Sequence, residues 1–339
     1  MAKITSIKRI PPTFREVKFW YDTHLHPDSN DYTNEETYKN VYHDGKFPSI
    51  FQVTSGGAQR LFKEAKPTSI VDIAALTAVY RPGPIYAKIP ETWCELKNEN
   101  KLFDWGHPLF AEILKDTQGC LIFQEQMSDI LERVAGLPKE RCDDARRALL
   151  KRDSSKQDAA AQEANKIGEQ FIKGAVEKGV PEYVATEAFK KINALSSYCF
   201  NKSHSTSYAV GSFMTAWLFT HYPAQWLTAY LESQSGDPDK KASASGVLKK
   251  LGYSIVPIDI NLASAEWRYI PDKQFMPSFL SIKGMGLAAI EEVLANRPYT
   301  SLEDLLWDSA GDWRHSKFNK RSLDALIRVQ ALQSLDCVG

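Results

Sequence analysis

Tyr198-Cys199-Phe200-Asn201-Lys202-Ser203-His204-Ser205-Thr206-Ser207-Tyr208 leads straight into an apolar run that continues to Leu231. That run contains Phe213, Met214, Trp217, Leu218, Phe219, Trp226 and Leu227, so it lacks a polar face and is read as a helix buried inside a domain. Pro223 is expected to break or kink it near His221-Tyr222, because proline brings no N–H to the helix ladder. His221, Gln225 and the proline argue against a membrane span. The polar leader suits a different task. A helix start presents unpaired backbone N–H groups and the positive end of the helix dipole, where anions settle. Lys202 would add a point charge, His204 a switchable donor, and Ser205 or Thr206 a cap. Together they suit a triphosphate; the plainer alternative is an ordinary capped helix with an incidental lysine.

Upstream, Arg141-Cys142-Asp143-Asp144-Ala145-Arg146-Arg147-Ala148-Leu149-Leu150-Lys151-Arg152 reads as another helix. Neighbouring residues on a helix point ~100° apart, so only one of Arg146 and Arg147 faces a given ligand. A guanidinium fork matches phosphate oxygens in a bidentate way that an ammonium cannot. A solvated basic face is the alternative. Gln126–Ala135 repeats apolar residues at three and four and ends at Gly136 and Pro138, and the amphipathic run Asp158–Lys178 stops at Gly179. The stretch from Phe51 to Glu232 is thus read as largely helical. Residues 1–48, rich in Asp, Asn, Tyr, Thr and Pro, read as an irregular lead-in with at most a short strand or helix.

Further on, Gly236–Gly246 is small and polar and reads as a loop or boundary, followed by a short helix at Val247–Leu251 and an extended segment at Tyr253–Pro257. Ile282-Lys283-Gly284-Met285-Gly286 then precedes a helix at Leu287–Ala295. Two glycines at a helix entrance let backbone amides approach a phosphate with no side chain in the way. Pro271 and Pro277 leave little room for a full helix ahead of that hairpin. Arg314-His315-Ser316-Lys317-Phe318-Asn319-Lys320-Arg321 carries four fixed positive charges and no acid. It either follows phosphates or forms a solvated turn and helix start.

Formal net charge is zero, with 42 basic and 42 acidic side chains, so any polyanion must be held by local clusters and not by the protein's overall field. The cysteines, Cys94, Cys120, Cys142, Cys199 and Cys337, show no Cys-x-x-Cys spacing, which points away from zinc and from a disulfide framework and towards reduced thiols in a cytoplasm. Asp22-Thr23-His24-Leu25-His26 imitates a metal-binding His-x-His, but the other five histidines are widely spread.

Tyr80-Arg81-Pro82-Gly83-Pro84, Phe123-Gln124-Glu125-Gln126-Met127, Ala145-Arg146-Arg147-Ala148 and Phe200-Asn201-Lys202-Ser203-His204-Ser205 resemble, in order, motifs of the alpha subunit of bacterial DNA polymerase III. Ile50-Phe51-Gln52 is similar to the step before them, so the resemblance runs from about Ser49, or from Asn34, to Leu332. It implies a mainly α protein: a helical fingers domain over 49–235, a small α/β linker over 236–265 and a helix-hairpin-helix module over 266–339. It also implies that Arg146, Arg147, Lys202 and His204 bind the triphosphate of an incoming dNTP and that Tyr198 packs on the nucleotide. Lys283, Gly284, Gly286, Lys317, Lys320 and Arg321 would hold DNA. In that family a palm domain ahead of the fingers supplies an Asp-x-Asp pair and a third aspartate for two metal ions. Ahead of Phe51 stand only Asp22, Asp28, Asp31 and Asp44, with no such pair. The resemblance therefore implies Mg2+ at the palm of a partner polypeptide, with primer-template DNA, a sliding clamp and other replisome proteins as further partners. No clamp-binding peptide is evident in Leu332–Gly339. The competing expectation is a non-catalytic DNA-binding or regulatory relic of the same fold.

Overall fold

Short polar residues set the first helix starts. In the computed structural model, which describes residues 13–150 and 157–335, the side chains of Thr13, Asn34, Ser55 and Ser69 accept backbone N–H groups. They thereby open α1 (Phe14–His24), α2 (Glu35–Thr37), α3 (Gly56–Ala65) and α4 (Ile70–Val79). Proline, whose fixed φ suits a first turn, opens α5 (Pro82–Tyr86), stands second in α6 (Ile89–Asn98) and opens α7 (Pro108–Leu114). There follow α8 (Gln124–Arg133), α9 (Lys139–Leu150), α10 (Gln157–Glu177), α11 (Glu182–Leu195) and α12 (Lys202–His221). By its contacts the chain divides into Met1–Trp217 and Leu218–Gly339.

In the first unit α7 to α11 close over Trp105, Phe110, Met127, Leu131, Phe171 and Ile192. Gly174 permits the closest crossing: a Cβ there would lie 1.7 Å from the Ala135 carbonyl oxygen, so only glycine lets α10 pass the end of α8. Near the start of the unit, Asp72 and Lys97 form a buried ion pair at 2.8 Å that ties α4 to α6.

Residues 13–48 are more ordered than the irregular lead-in expected of them; residues 1–12 lie outside the described part. Besides α1 and α2 they form a π-helical turn, Tyr38–His43, whose Tyr38, Val41 and Tyr42 are buried. Tyr42 stacks on Phe62 at 5.8 Å and shares a 3.0 Å hydrogen bond with the Ser212 hydroxyl of α12. A π-turn does not repeat every 3.6 residues, which is why helical periodicity gave no sign of it.

The second unit holds α13 (Pro223–Gln234) and α14 (Pro238–Lys250), then β1 (Ser254–Ile255), β2 (Arg268–Ile270) and β3 (Gln274–Met276). The sheet order is β1-β3-β2: β1 runs parallel to β3 with Ile255 opposite Phe275, and β2 antiparallel to it with Tyr269 opposite Phe275. After it come α15 (Leu287–Ala295), α16 (Leu302–Leu306) and α17 (Lys320–Arg328), packed over Ile260, Phe279, Ile290, Leu305, Phe318 and Leu326.

Two readings of the apolar run and its sequel divide here. The break before Pro223 stands as expected, with Tyr222 between α12 and α13, and every residue from Tyr208 to Ala224 is buried or half-buried. The loop expected at Gly236–Gly246 is instead the front of α14. The Asp237 carboxylate accepts the N–H groups of Asp239 and Lys240, and Pro238 takes the first position. Burial of Ala244 and Leu248 then holds the helix despite its weak formers.

Candidate functional site

Two of the motifs meet through backbone. The Phe200 N–H donates to the Ile122 carbonyl and the Gln124 N–H to the Phe200 carbonyl, each at 2.9 Å, so Phe123 and Phe200 pair as a parallel bridge joining the starts of α8 and α12. The buried Gln126 amide makes this bridge rigid. Its oxygen accepts the N–H groups of Ile122 and Phe123 at 3.1 and 2.9 Å, and its nitrogen donates to the Thr117 hydroxyl at 2.7 Å. A buried amide satisfied on both sides is costly to disturb.

Asn201 caps α12, accepting the His204 N–H at 2.8 Å. The expected caps do other work: Ser205 is buried with its hydroxyl on the Ala74 carbonyl, and Thr206 donates one turn back to the Lys202 carbonyl at 2.8 Å. Glu125 adds a second occupant at the helix start. One of its oxygens accepts the Lys202 N–H at 2.9 Å and the other the Asn201 side-chain amide at 3.0 Å. The amides of Lys202 and His204, expected to receive an anion, are therefore already engaged, and charge offered to a ligand must come from side chains. The Lys202 ammonium lies 5.9 Å from the Phe123 ring centre. The exposed His204 ring sits between Phe200 at 5.4 Å and Tyr208 at 4.5 Å, and Tyr208 in turn meets Phe51 at 5.4 Å.

The adjacent arginines separate as helix geometry demands. Arg146 is 14% exposed and Arg147 64%, so Arg146 faces the junction and Arg147 the solvent. Arg146 Nη1 donates to the Gln124 side-chain oxygen at 2.9 Å, while its Nε, at 3.1 Å, and its Nη2 both donate to one oxygen of Asp143. Arg147 Nη2 lies 2.6 Å from the other Asp143 oxygen. The hydrogen bond from Arg146, reinforced by both positive charges, holds the Asp143 carboxyl below its ordinary range. Lys151 and Arg152, the end of this basic run, lie outside the described residues.

Arg81 closes the group. It donates to the Ala78 carbonyl at 2.7 Å and the Tyr198 carbonyl at 2.8 Å, and its guanidinium carbon lies 4.4 Å from the Phe200 ring centre. Burial pulls its pKa below the usual guanidinium value. Gly83 is needed here because a Cβ would come within 2.9 Å of the Tyr198 ring. Cys199, between these groups, is buried and its thiol is pushed up to about 12, so it is inert packing.

In the second unit a short 3-10 turn, Phe279–Ser281, stands where a hairpin's first helix would, in keeping with the flanking prolines. Gly284 takes φ +109°, and a Cβ on it would lie 3.3 Å from that of Ala325 in α17; Gly286 caps α15. Glu292 of α15 accepts the N–H groups of Ser316, Lys317 and Phe318 at 2.8, 2.8 and 2.6 Å, with the Ser316 hydroxyl at 3.0 Å. Burial raises its pKa, but these donors outweigh that and bring it down to about 2. Asn319 caps α17 through the N–H groups of Arg321 and Ser322. Lys283, Lys317, Lys320 and Arg321 are exposed, and Gly284 lies against the Arg321 end of α17, so the two glycine-hairpin and basic-turn candidates share one surface. Arg314 points elsewhere, paired with Asp304 at 2.6 Å.

A sequence model of the bacterial DNA polymerase III alpha subunit finger domain matches residues 5–179. This chain belongs to that family. A helix-hairpin-helix motif model matches residues 252–337. Among the relatives, the DNA polymerase III subunit alpha of Borreliella burgdorferi is 32% identical over 88% of this chain and 25% of its own length. Those of Aquifex aeolicus and Chlamydia pneumoniae are 31% and 32% identical over 85% and 89% of this chain, and each is matched over 24% of its own length. The chain thus spans about a quarter of these polymerase subunits. The finger match begins well ahead of Ser49 and takes in the part read as lead-in.

Of the residues expected to bind triphosphate, Arg146, Lys202 and His204 are joined through the α8 start, with Tyr198 beside Arg81, while Arg147 lies outward. Arg81, Gln124 and Glu125 were not singled out as site residues although all three stand inside quoted motifs; only their contacts reveal them. Among the described residues no group of three or more His, Cys, Asp or Glu is placed to hold a metal ion. His24 instead bonds the Trp20 carbonyl and His26 accepts the Asp28 N–H. No described helix is long and apolar enough to cross a membrane.

Proposed function

We propose that this chain is the fingers and DNA-gripping part of a DNA-directed DNA polymerase, binding the incoming dNTP and duplex DNA, with the metal-binding palm carried on another polypeptide. The observation that carries this reading is the junction at Gln124 and Phe200, which brings Arg146 and the Lys202–His204 segment to one place. A triphosphate carries charge along its length, and pyrophosphate leaves with more, so cations fixed at both ends stabilise the leaving group as it forms. Arg146 reaches the phosphates by exchanging Asp143 for them, and Lys202 and His204 supply charge and a donor from the α12 start. Tyr198 packs against the sugar or base. Mg2+, when bound by palm carboxylates, would activate the primer oxygen and steady the leaving one. Lys283, Gly284, Gly286, Lys317, Lys320 and Arg321 grip the duplex backbone without reading sequence.

Primer extension tests this. The purified chain alone is expected to extend nothing, and a mixture with a palm-bearing polypeptide to extend a primed template. The Lys202→Ala, His204→Ala double variant should abolish extension in the mixture. Extension by the chain alone would overturn the assignment of the palm to a partner. Undiminished extension by the double variant would overturn the triphosphate site.

A further inference from the structure

We propose that Gln124 and Glu125 are positioning residues, which hold Arg146 and the Lys202–His204 segment at a separation matched to a triphosphate; this rests on the nucleotide-binding reading above. The two are consecutive in the first turn of α8 and so point ~100° apart around its axis, towards different neighbours. Gln124 reaches α9: its oxygen takes Arg146 Nη1 at 2.9 Å, and its nitrogen donates to the Cys199 carbonyl at 3.4 Å. Glu125 reaches α12: its carboxylate holds the Lys202 N–H and the Asn201 amide, at 2.9 and 3.0 Å. Neither contact involves the charged tip of Lys202 or His204, so both side chains of α12 remain directed by the backbone that Glu125 fixes.

The turn bearing these two residues is itself held. Gln126, buried, ties its backbone to Thr117, and the Phe123–Phe200 bridge fixes its height against the α12 leader. A second link, from the Ser196 hydroxyl to the Leu149 carbonyl at 3.1 Å, ties the turn ahead of the α12 leader to the end of α9 but touches no cation. Gln124 is thus the contact through which the guanidinium of Arg146 is registered against the lysine-histidine segment. A ligand spanning both cation sources depends on that registration; one short enough to use a single source does not. Loosening the strut should therefore cost triphosphate binding and spare monophosphate binding, a pattern that general loss of packing does not produce.

The test is competition of dATP and of dAMP against a fluorescent dATP analogue on the whole 339-residue chain, with thermal melts of each variant alongside. Gln124→Ala and Glu125→Ala should each weaken dATP by roughly tenfold, the order expected when a hydrogen bond to a charged group is lost, and leave dAMP within about twofold. Equal losses for dATP and dAMP, or no loss for either, overturn the positioning role. Arg146→Ala and Lys202→Ala separate that failure from a deeper one. If they too leave dATP binding intact, or the unaltered chain binds no dATP, the nucleotide-binding reading has failed. If they weaken dATP while the Gln124 and Glu125 variants do not, only the positioning inference has.

Discussion

The arginines of α9 are held by groups of the protein itself, whereas the cations at the entrance of α17 stand in solvent. Arg146 and Arg147 share Asp143, and Arg146 also takes Gln124. Lys283, Lys317, Lys320 and Arg321 are exposed, and among the described residues none of them is paired with a carboxylate. In the loop ahead of α17 it is the backbone that is fixed, by Glu292. On the proposed function the difference would correspond to two kinds of anion. A nucleotide has a defined length and charge, so its site gains from cations already placed, even though Arg146 must exchange Asp143 on binding. A duplex is a long line of equivalent phosphates, met by unpaired charge and released counterions, for which exact placement of each tip matters little.

Removing a cation of the proposed nucleotide site should have the largest effect. Arg146→Ala and Lys202→Ala are each expected to weaken dATP binding by roughly 10- to 100-fold, from the ~1.5–3 kcal/mol of a charge-assisted hydrogen bond. Direct titration of the purified variants checks this. A loss no greater than that of an exposed lysine elsewhere would erase the contrast between the two regions.

Next comes the acid that organises the basic turn. Glu292→Gln replaces a carboxylate accepting four donors and should cost about 2–3 kcal/mol at neutral pH, read from urea melts. The sign of its pH dependence follows from a folded pKa of about 2 against an ordinary 4.5. The carboxylate's contribution is full above the unfolded value and falls away as pH drops through the folded one. Stability of the unaltered chain should therefore decline between about pH 4.5 and 2 by an amount that the Gln variant has already lost. Parallel acid limbs in the two proteins would show that Glu292 is not what holds the turn.

Smaller again are the exposed cations taken singly. Lys317→Ala, Lys320→Ala and Arg321→Ala should each lower the slope of log affinity for duplex DNA against log salt by about 0.9, while Arg146→Ala leaves it unchanged. A slope that responds equally to Arg146 would mean that the two regions bind the same polyanion.

Much of the helical framework behind this contrast was legible in the sequence. The helices from Phe51 to Glu232 and the break at Pro223 follow from apolar spacing and from proline's missing donor, and the order of the motifs pointed to the family. What stayed hidden was whatever depends on a distant partner. Asn201 rather than Ser205 caps α12 because Ser205 is drawn to Ala74, far away in the chain. Glu125 and Gln124 read as ordinary polar residues of an amphipathic helix until α9 and α12 are placed around them. The helix at Pro238–Lys250 was hidden by its small polar residues, although Asp237-Pro238 is a cap and first-turn pair that could have marked it. The buried turn at Tyr38–His43 had no helical period to find.

The mildest change bears most directly on that lesson. Sequence spacing left open which of two neighbouring arginines faces the ligand, and their exposures, 14% for Arg146 and 64% for Arg147, now separate them. Arg147 makes only a solvent-facing ion pair with Asp143, an interaction worth ~0–1 kcal/mol. Arg147→Ala should thus change dATP affinity by no more than about threefold and leave thermal stability nearly unaltered. It also frees one Asp143 oxygen, which can only strengthen the hold on Arg146, so any small change should be a weakening. If Arg147→Ala instead matched the loss seen for Arg146→Ala in the same titration, α9 would have to rotate by about one residue, ~100°, on meeting the nucleotide. The Gln124 contact would then be broken in the nucleotide complex.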